Sequence, residues 1–267
     1  MQQQWGIMLK DQKTSKSGSA AAAKRTGRSK KAKSAAEKAP LRPFGASKIM
    51  AGGGVKMSLV EQVYQTIMAA MDRGELAPGS RIIASEVAQE LDLSRAPVRE
   101  ALAVLAGQGL VELLPDRGAV LRSMDQNDLA DMYEVLAPIA ALGLKAAAGR
   151  AQVDDNPEKI RAAMETIRKA SANPAQGVAF FQALNSFHYV ANGIAQKPYV
   201  DFVMRMMQIE YWNRLLVAAI DLDQHADRYV RNYQRLTDAL LEGDSRSAEA
   251  IILHHVEWCI SLLTPKP

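Results

Sequence analysis

The chain has 267 residues, enough for one large or two medium-sized domains with buried cores. Its 48% of hydrophobic residues is ordinary for a soluble globular protein and excludes a mostly disordered chain. The single cysteine, Cys259, excludes an internal disulfide and suits a reducing cytoplasm. The sequence contains neither an apolar run of roughly 18 residues nor the apolar core of a secretory signal, so it predicts a cytoplasmic protein without a membrane partner.

The net charge of +4 conceals a strongly basic N-terminal segment. Residues 1–57 hold 13 lysines and arginines against 2 acidic residues, which leaves 20 against 27 for the rest of the chain. The segment is rich in Ala, Lys, Ser and Gly and has no apolar period, so it is predicted to be a disordered tail. Its charge would attract a polyanion without sequence preference. The alternatives are a plain solvated tail or a segment that is not translated, since Met50 and Met57 precede the structured part.

Helical periodicity begins at Ser58, a residue suited to cap a helix N-terminus. The stretch "SLVEQVYQTIMAAMDRGEL" predicts a first helix, "LAPGSRI" a turn, and "ASEVAQELDL" a short second helix. A third helix is predicted from Ser94 to about Ala106. The strand-like runs "GLVELL" and "AVLRS" follow, joined by "PDRG", in which Gly118 can supply a positive φ. Three helices and a hairpin predict a winged helix-turn-helix over residues 58–123.

The third predicted helix has an apolar and a basic side. Val98, Leu102 and Leu105 recur at i, i+4 and i+7 and are predicted to face the other two helices. Arg95 and Arg99 fall on the opposite side, in the two turns that meet base edges when a recognition helix enters the major groove. The planar fork of arginine can bind one guanine or grip a phosphate. An ordinary solvated helix face is the alternative, but the surrounding helices and hairpin favour a DNA-binding surface.

The segments "LAPGSRI" and "VAQELDLSRAPVREALAVLAGQGLVELLPDRGAVL" closely resemble the DNA-binding signature of the GntR family of bacterial transcription regulators, over about residues 58–123. The resemblance implies sequence-specific binding to double-stranded DNA. One departure is Ser85, where many relatives have an arginine that contacts DNA, which implies a different preferred operator. The residues that the resemblance implies contact DNA are Ser94, Arg95, Ala96, Arg99, Arg117 and Gly118.

Residues 124–263 resemble the all-α effector-binding domain of the FadR branch of that family, the FCD type. "NDLADMYEVLAPIAALGLKAAAGRA" is similar to its first helix, with Asp125 or Asn127 as the capping residue, and four later stretches match further helices. The resemblance implies an antiparallel bundle of about six or seven helices that encloses a polar cavity and forms a homodimer. The expected fold class is therefore mainly α, with an N-terminal winged helix-turn-helix and a C-terminal antiparallel all-α helical bundle.

Many relatives bind a divalent metal in this cavity through one aspartate and three histidines, and here the correspondence partly fails. Only His188 and His255 match, because Leu184 stands at the aspartate position and Tyr233 at the middle histidine position. Two neutral histidines make a poor divalent site, so no metal cofactor is expected; if one binds, these two histidines would hold it. The favoured interpretation is that they form hydrogen bonds inside the cavity or with Tyr233. Two residues of the first helix also replace the arginine and glutamate of relatives: Leu136 and Ala140.

The same resemblance predicts an effector site in the cavity. Arg214, in "YWNRLL", matches a position where the family often has arginine, and it could pair with an anionic effector or simply lie in an ion pair. The departures from the metal-binding pattern predict an effector that is larger or less acidic than that of metal-binding relatives. His254, next to His255, points about 100° away on a helix and is predicted to lie at the surface or an interface. The predicted effector-binding residues are His188, Arg214, Tyr233, His255 and Asn185.

Three classes of function follow from these patterns. The leading hypothesis is a dimeric repressor whose binding to a palindromic operator is controlled by a small-molecule metabolite in the C-terminal domain. The alternative is a constitutive DNA-binding protein with a degenerate effector cavity. An enzyme is disfavoured, because the sequence shows no activated nucleophile, no paired carboxylates at useful spacing and no glycine-rich phosphate loop.

Overall fold

A computed structural model describes residues 57–115, 118–173, 176–207 and 209–264. The predicted N-terminal tail therefore lies outside the described residues, as does Arg117 of the hairpin turn. The described residues from 57 onward belong to one compact unit. The elements in chain order are α1 (Leu59–Asp72), β1 (Arg81–Ile83), α2 (Ala84–Glu90), α3 (Arg95–Gly107), β2 (Val111–Leu114), β3 (Gly118–Leu121), α4 (Gln126–Ala148), α5 (Asn156–Ser171), α6 (Gly177–Ala195), α7 (Pro198–Met206), α8 (Ile209–Ala219), α9 (Leu222–Leu241) and α10 (Ser245–Leu263).

The first three helices form where the apolar period places them. Ser58 caps α1, since its Oγ accepts the backbone N–H of Glu61 at 3.2 Å. Packing of α1 and α2 against α3 buries the apolar side of each helix, including Val98, Leu102 and Leu105 of α3. These three helices and the following hairpin give the mainly α, winged helix-turn-helix architecture that the sequence predicts.

The segment predicted as a turn before α2 ends in a strand, which corrects that prediction. Residues Arg81–Ile83 form β1, which pairs antiparallel with β3 and places Ile82 opposite Ala119 in the ladder. The sheet order is β1-β3-β2, so β3 is its central strand. A three-residue strand is too short to display an alternating pattern, and it forms here because Ile82 is buried against the helices.

The C-terminal part consists, among the described residues, of the seven helices α4 to α10. Asp125 caps α4: its carboxylate accepts the N–H groups of Asn127 and Asp128, and the Asp128 carboxylate accepts the N–H of Asp125. Of the two predicted caps, Asp125 is therefore the one that acts. Helix α4 packs along α10 and against α6, and these helices surround the core of the bundle. No helix among the described residues is both long and apolar enough to cross a membrane.

Candidate DNA-binding surface and effector cavity

The predicted recognition surface lies on the outer side of α3. Ser94 occupies the N-cap position, and Ser94, Arg95, Ala96 and Arg99 are all exposed. The Ser94 side chain forms no capping hydrogen bond, so its hydroxyl remains available to a partner. Neither arginine forms a salt bridge with another described residue. The surface thus presents two uncompensated guanidinium groups one helical turn apart.

The wing lies beside this surface. Ala96 and Arg99 of α3 line a groove of about 380 Å³ together with Leu113, Pro115 and Gly118 of the hairpin. A DNA strand that approached α3 along this groove would contact both α3 and the hairpin. The groove therefore joins the first turns of the recognition helix to the wing in one continuous surface.

The structure explains the glycine at position 118 by crowding, and not by the positive φ that the turn sequence predicts. Gly118 is not among the residues with a positive φ; it begins β3 and is buried. A Cβ atom at this position would lie 3.2 Å from the Ile82 carbonyl oxygen and 3.3 Å from Nε of Arg81. Glycine is therefore required by the close approach of β1, a strand that the sequence did not reveal. The exposed Arg81, which was not among the predicted DNA-binding residues, thereby lies at the base of the wing.

The helical bundle encloses a cavity of about 70 Å³ between α4, α6, α7, α8, α9 and α10. Four of the five predicted effector-binding residues line it: Asn185, His188, Tyr233 and His255. His188 and Tyr233 are 45 positions apart in the sequence and meet in this cavity. The packing of the helices, and not the spacing within one helix, therefore creates the site. Leu136, Ala140 and Leu184 also line the cavity at the positions where the sequence departs from its metal-binding relatives.

The two cavity histidines are held by neutral partners. His188 Nε2 lies 2.8 Å from the hydroxyl of Tyr233. His255 Nδ1 lies 2.9 Å from the Asn232 amide nitrogen, which can only donate, so Nδ1 is the unprotonated acceptor. The proton is then on Nε2, which lies 3.5 Å from the Cys259 sulfur. Both nitrogens of His255 are therefore engaged by the protein.

Burial keeps the titratable groups of the cavity uncharged at neutral pH. Desolvation lowers the pKa of His188 to about 4, and desolvation together with the neighbouring His188 and Arg228 lowers the pKa of His255 to about 3. Burial also raises the pKa of the phenol of Tyr233 above its ordinary value. The cavity is lined by no aspartate, glutamate, lysine or arginine among the described residues. Its walls consequently carry no formal charge.

The cavity residues do not fit a divalent metal. The described residues contain no group of three or more His, Cys, Asp or Glu side chains arranged to hold a metal ion. His188 and His255 have no carboxylate beside them, and both ring nitrogens of His255 already have protein partners. A divalent cation would need further ligands and compensating negative charge, which Leu184 and Tyr233 cannot provide.

Arg214 does not line this cavity, so the structure does not bring it together with the other four predicted effector-binding residues. Its Nε and one terminal nitrogen lie 2.8 and 2.7 Å from the two carboxylate oxygens of Asp72 at the end of α1. Its other terminal nitrogen donates to the Glu210 carbonyl oxygen at 3.0 Å. The second of the two sequence-based interpretations, an ion pair, is the one that the structure shows. The sequence could not name Asp72 as the partner, since 142 residues separate the pair.

Helix α8 serves both the cavity and the DNA-binding domain. Trp212, Asn213 and Leu216 line the cavity. From the same helix, Arg214 binds Asp72 of α1, and the hydroxyl of Tyr211 donates to the carbonyl oxygen of the residue after β3. Helix α8 therefore contacts the cavity and the winged helix-turn-helix at the same time.

A winged helix-turn-helix joined to a helical bundle with an internal cavity defines a DNA-binding transcription regulator, not an enzyme. The family model "Bacterial regulatory proteins, gntR family" matches residues 59–121, and the FCD domain model matches residues 131–257. The chain belongs to the GntR family and carries an FCD domain.

The chain is similar to several proteins in both sequence and fold. It is 25% identical to a probable D-xylose utilization operon transcriptional repressor of Paenarthrobacter nicotinovorans, over 75% of this chain and 87% of that protein. It is 37% identical to an uncharacterized HTH-type regulator of Agrobacterium vitis, over 38% of this chain and 56% of that protein. Among solved structures, E. coli McbR/YncC has a TM-score of 0.61 at 20% identity, and the alignment covers 78% of this chain and 98% of that chain. A putative GntR regulator from Rhodococcus sp. RHA1 has a TM-score of 0.63 at 21% identity, and aligns with 79% of this chain and all of its own. These two structures support the fold alone.

The buried histidines predict an acid-sensitive stability. The unfolded chain takes up protons near the ordinary histidine pKa of 6.5, whereas the folded protein resists them until about pH 4 for His188. The free energy of unfolding should therefore fall as the pH drops below 6.5, by about 1.4 kcal/mol per pH unit for each such histidine. Urea unfolding between about pH 5 and 7 measures this slope. The slope should decrease in His188→Gln and persist in the control His254→Gln, whose ring is exposed. Equal slopes in the two variants would contradict the assignment.

Proposed function

We propose that this regulator binds a palindromic operator through α3 and the wing, and that a small molecule in the cavity controls that binding. The observation that carries the proposal is the double role of α8, which lines the cavity and holds α1 through Arg214 and Asp72. A ligand with different affinities for two positions of α8 would shift the equilibrium between arrangements of the DNA-binding domains. The similar repressor of Paenarthrobacter nicotinovorans supports repression as the direction of control.

The proposed DNA contacts combine charge with a close backbone approach. Arg95 and Arg99 have no acidic partner among the described residues and project from the first turns of α3, where each guanidinium can bind a guanine or a phosphate. Ser94 has a free hydroxyl, and the small Ala96 lets the helix approach the bases closely. Gly118 permits the tight packing of β3 against β1, and the family resemblance implies a DNA contact at the neighbouring Arg117. The position of Arg117 itself lies outside the described residues.

A second copy of the chain is the proposed occupant of an exposed apolar surface on α4 and α7. Val135 and Leu142 of α4 are 53% and 52% exposed, and Tyr199 and Met206 of α7 are 63% and 39% exposed. Each pair is seven residues apart and therefore lies on one side of its helix, and the two helices pack against each other. Large exposed apolar patches mark interaction sites, and a two-fold homodimer would match the symmetry of a palindromic operator.

The alternative is DNA binding that no small molecule controls. The volume of the cavity, about 70 Å³, favours it, because a cavity of ~150 Å³ is needed to hold benzene in another protein. The neutral polar groups at Asn185, His188, Tyr233 and His255 favour a ligand site instead, because a cavity retained only as a packing defect has no need of them. Operator binding that is unaffected by any small molecule would support the alternative.

The first test concerns the recognition helix. Arg95→Ala and Arg99→Ala should each weaken binding by about 1–3 kcal/mol, because each removes a base or phosphate contact. Fluorescence anisotropy would measure this on a duplex selected by the wild-type protein from a random library. Arg161→Ala, which removes an exposed arginine of α5, should leave the affinity unchanged. Wild-type affinity in both α3 variants would refute the assignment of α3.

The second test concerns the homodimer. Leu142→Glu should convert the dimer to a monomer, because it would bury two like charges near the two-fold axis. Sedimentation velocity would show the change in mass, and operator affinity should fall with it. The control is Val153→Glu, at an apolar residue that is 43% exposed but lies beyond the end of α4. A Leu142→Glu protein that keeps the wild-type mass would mean that the subunits associate elsewhere.

The third test concerns coupling through α8. Because coupling between two sites is reciprocal, operator binding should alter amide hydrogen exchange in α8 of the wild-type protein. Asp72→Asn removes the bidentate partner of Arg214 and should reduce that change substantially. The control is Glu75→Gln, which breaks an ion pair with Arg73 that stays within the DNA-binding domain. An α8 response of wild-type size in Asp72→Asn would exclude this route.

A further inference from the structure

One polar atom in the cavity has no partner. Among the buried side-chain nitrogen and oxygen atoms of the described residues, only Nδ2 of Asn213 forms no hydrogen bond. Asn213 is 1% exposed and lines the cavity, and its Oδ1 is already occupied by the Asn185 amide at 3.0 Å. A buried donor without an acceptor has a free-energy cost, because it has lost its hydrogen bonds to water. A molecule that presents an acceptor to this amide would recover that cost on binding.

The walls of the cavity exclude a charged ligand. No aspartate, glutamate, lysine or arginine lines it among the described residues, and His188 and His255 are neutral at pH 7. Arg214, the nearest arginine along α8, is committed to Asp72 outside the cavity. Moving a carboxylate from water into such a place costs several kcal/mol, because neither a cation nor a metal compensates it.

The surfaces near Asn213 are apolar. Leu136 and Ala140 of α4, Leu184 of α6 and Leu216 of α8 contribute aliphatic walls. Transfer of an apolar body from water into the cavity is therefore favourable. The volume of about 70 Å³ limits this body to a few non-hydrogen atoms unless a flexible side chain moves, and Met204 is the lining residue best able to do so.

We propose that the cavity binds a small uncharged molecule with an apolar body and one hydrogen-bond acceptor, such as a ketone, ester or amide carbonyl, which accepts from Nδ2 of Asn213. The inference rests on the proposed function of the same cavity and names its ligand class. It makes Asn213 the residue that selects the ligand. Because Asn213 precedes Arg214 on α8, a ligand bound there acts directly on the helix that holds α1.

The test uses two probes of equal size. 3-Methyl-2-butanone is uncharged and carries one carbonyl acceptor, and isobutyrate has the same heavy-atom shape with a negative charge. Titration of the full-length protein without DNA, followed by saturation-transfer-difference NMR, should show that the ketone binds at least about tenfold more tightly. Equal or tighter binding of isobutyrate, or no binding of the ketone, would overturn the proposal.

Variants locate the bound ketone. Asn213→Leu keeps the number and branching of the side-chain heavy atoms and removes the donor, so ketone affinity should fall by about tenfold or more. The matched control is Thr237→Val, which also replaces a buried polar side chain but does not line the cavity, and it should bind the ketone as the wild type does. If Asn213→Leu does not fold, Ala140→Leu provides a second variant that fills the cavity and should abolish binding. Ketone binding of wild-type affinity in a folded Asn213 or Ala140 variant would overturn the proposal.

The operator assay separates this inference from the proposed function. If the ketone binds in an Asn213-dependent manner and changes operator affinity, both are supported. If it binds in that manner and leaves operator affinity unchanged, the ligand class stands and control through the cavity fails. If only isobutyrate binds and changes operator affinity, control through the cavity stands and the ligand class fails.

Discussion

The ion pair between Arg214 and Asp72 is the interaction on which the proposed control of DNA binding depends. It is bidentate and joins the helix that lines the cavity to the first helix of the DNA-binding domain. The Arg214 side chain is only 11% exposed, so its charge has lost most of its water and requires a partner with good geometry. Asp72 is half exposed, so water would solvate its carboxylate if the pair separated. This combination suits a contact that is specific in one arrangement and reversible in another.

The cavity differs from this ion pair, because the described residues that line it carry no charge. Aromatic rings pack against its histidines, Phe187 against His188 and Trp258 against His255, and desolvation holds both imidazole rings in the neutral form. Tyr233 and Asn232 satisfy the rings with hydrogen bonds that need no ionisation. The unpartnered amide of Asn213 is the exception. A fully satisfied interior would be more stable without ligand, so an unmet donor in a cavity is the kind of local cost that a binding site retains.

Much of the architecture follows from short-range patterns. The apolar period along each helix and the capping side chains of Ser58 and Asp125 were sufficient to place α1, α3 and α4, because these signals act within a few residues. The three residues of β1 escaped prediction, since so short a strand has no period. The reason for glycine at position 118 could not be predicted either, because the atoms that would crowd a Cβ there belong to β1.

The sequence by itself determined the class of protein, the starts of α1, α3 and α4, and the presence of His188 and His255 without the remaining metal ligands. It determined these because helix periodicity, caps and motif spacing are properties of neighbouring residues. Only the tertiary structure decided that Arg214 lies outside the cavity and pairs with Asp72. It also decided that Asn213 lines the cavity with an unsatisfied donor. Both outcomes depend on which helices pack together, and the contacts involved join residues far apart in the chain. A pattern within one helix cannot show whether a polar side chain finds its partner across the bundle.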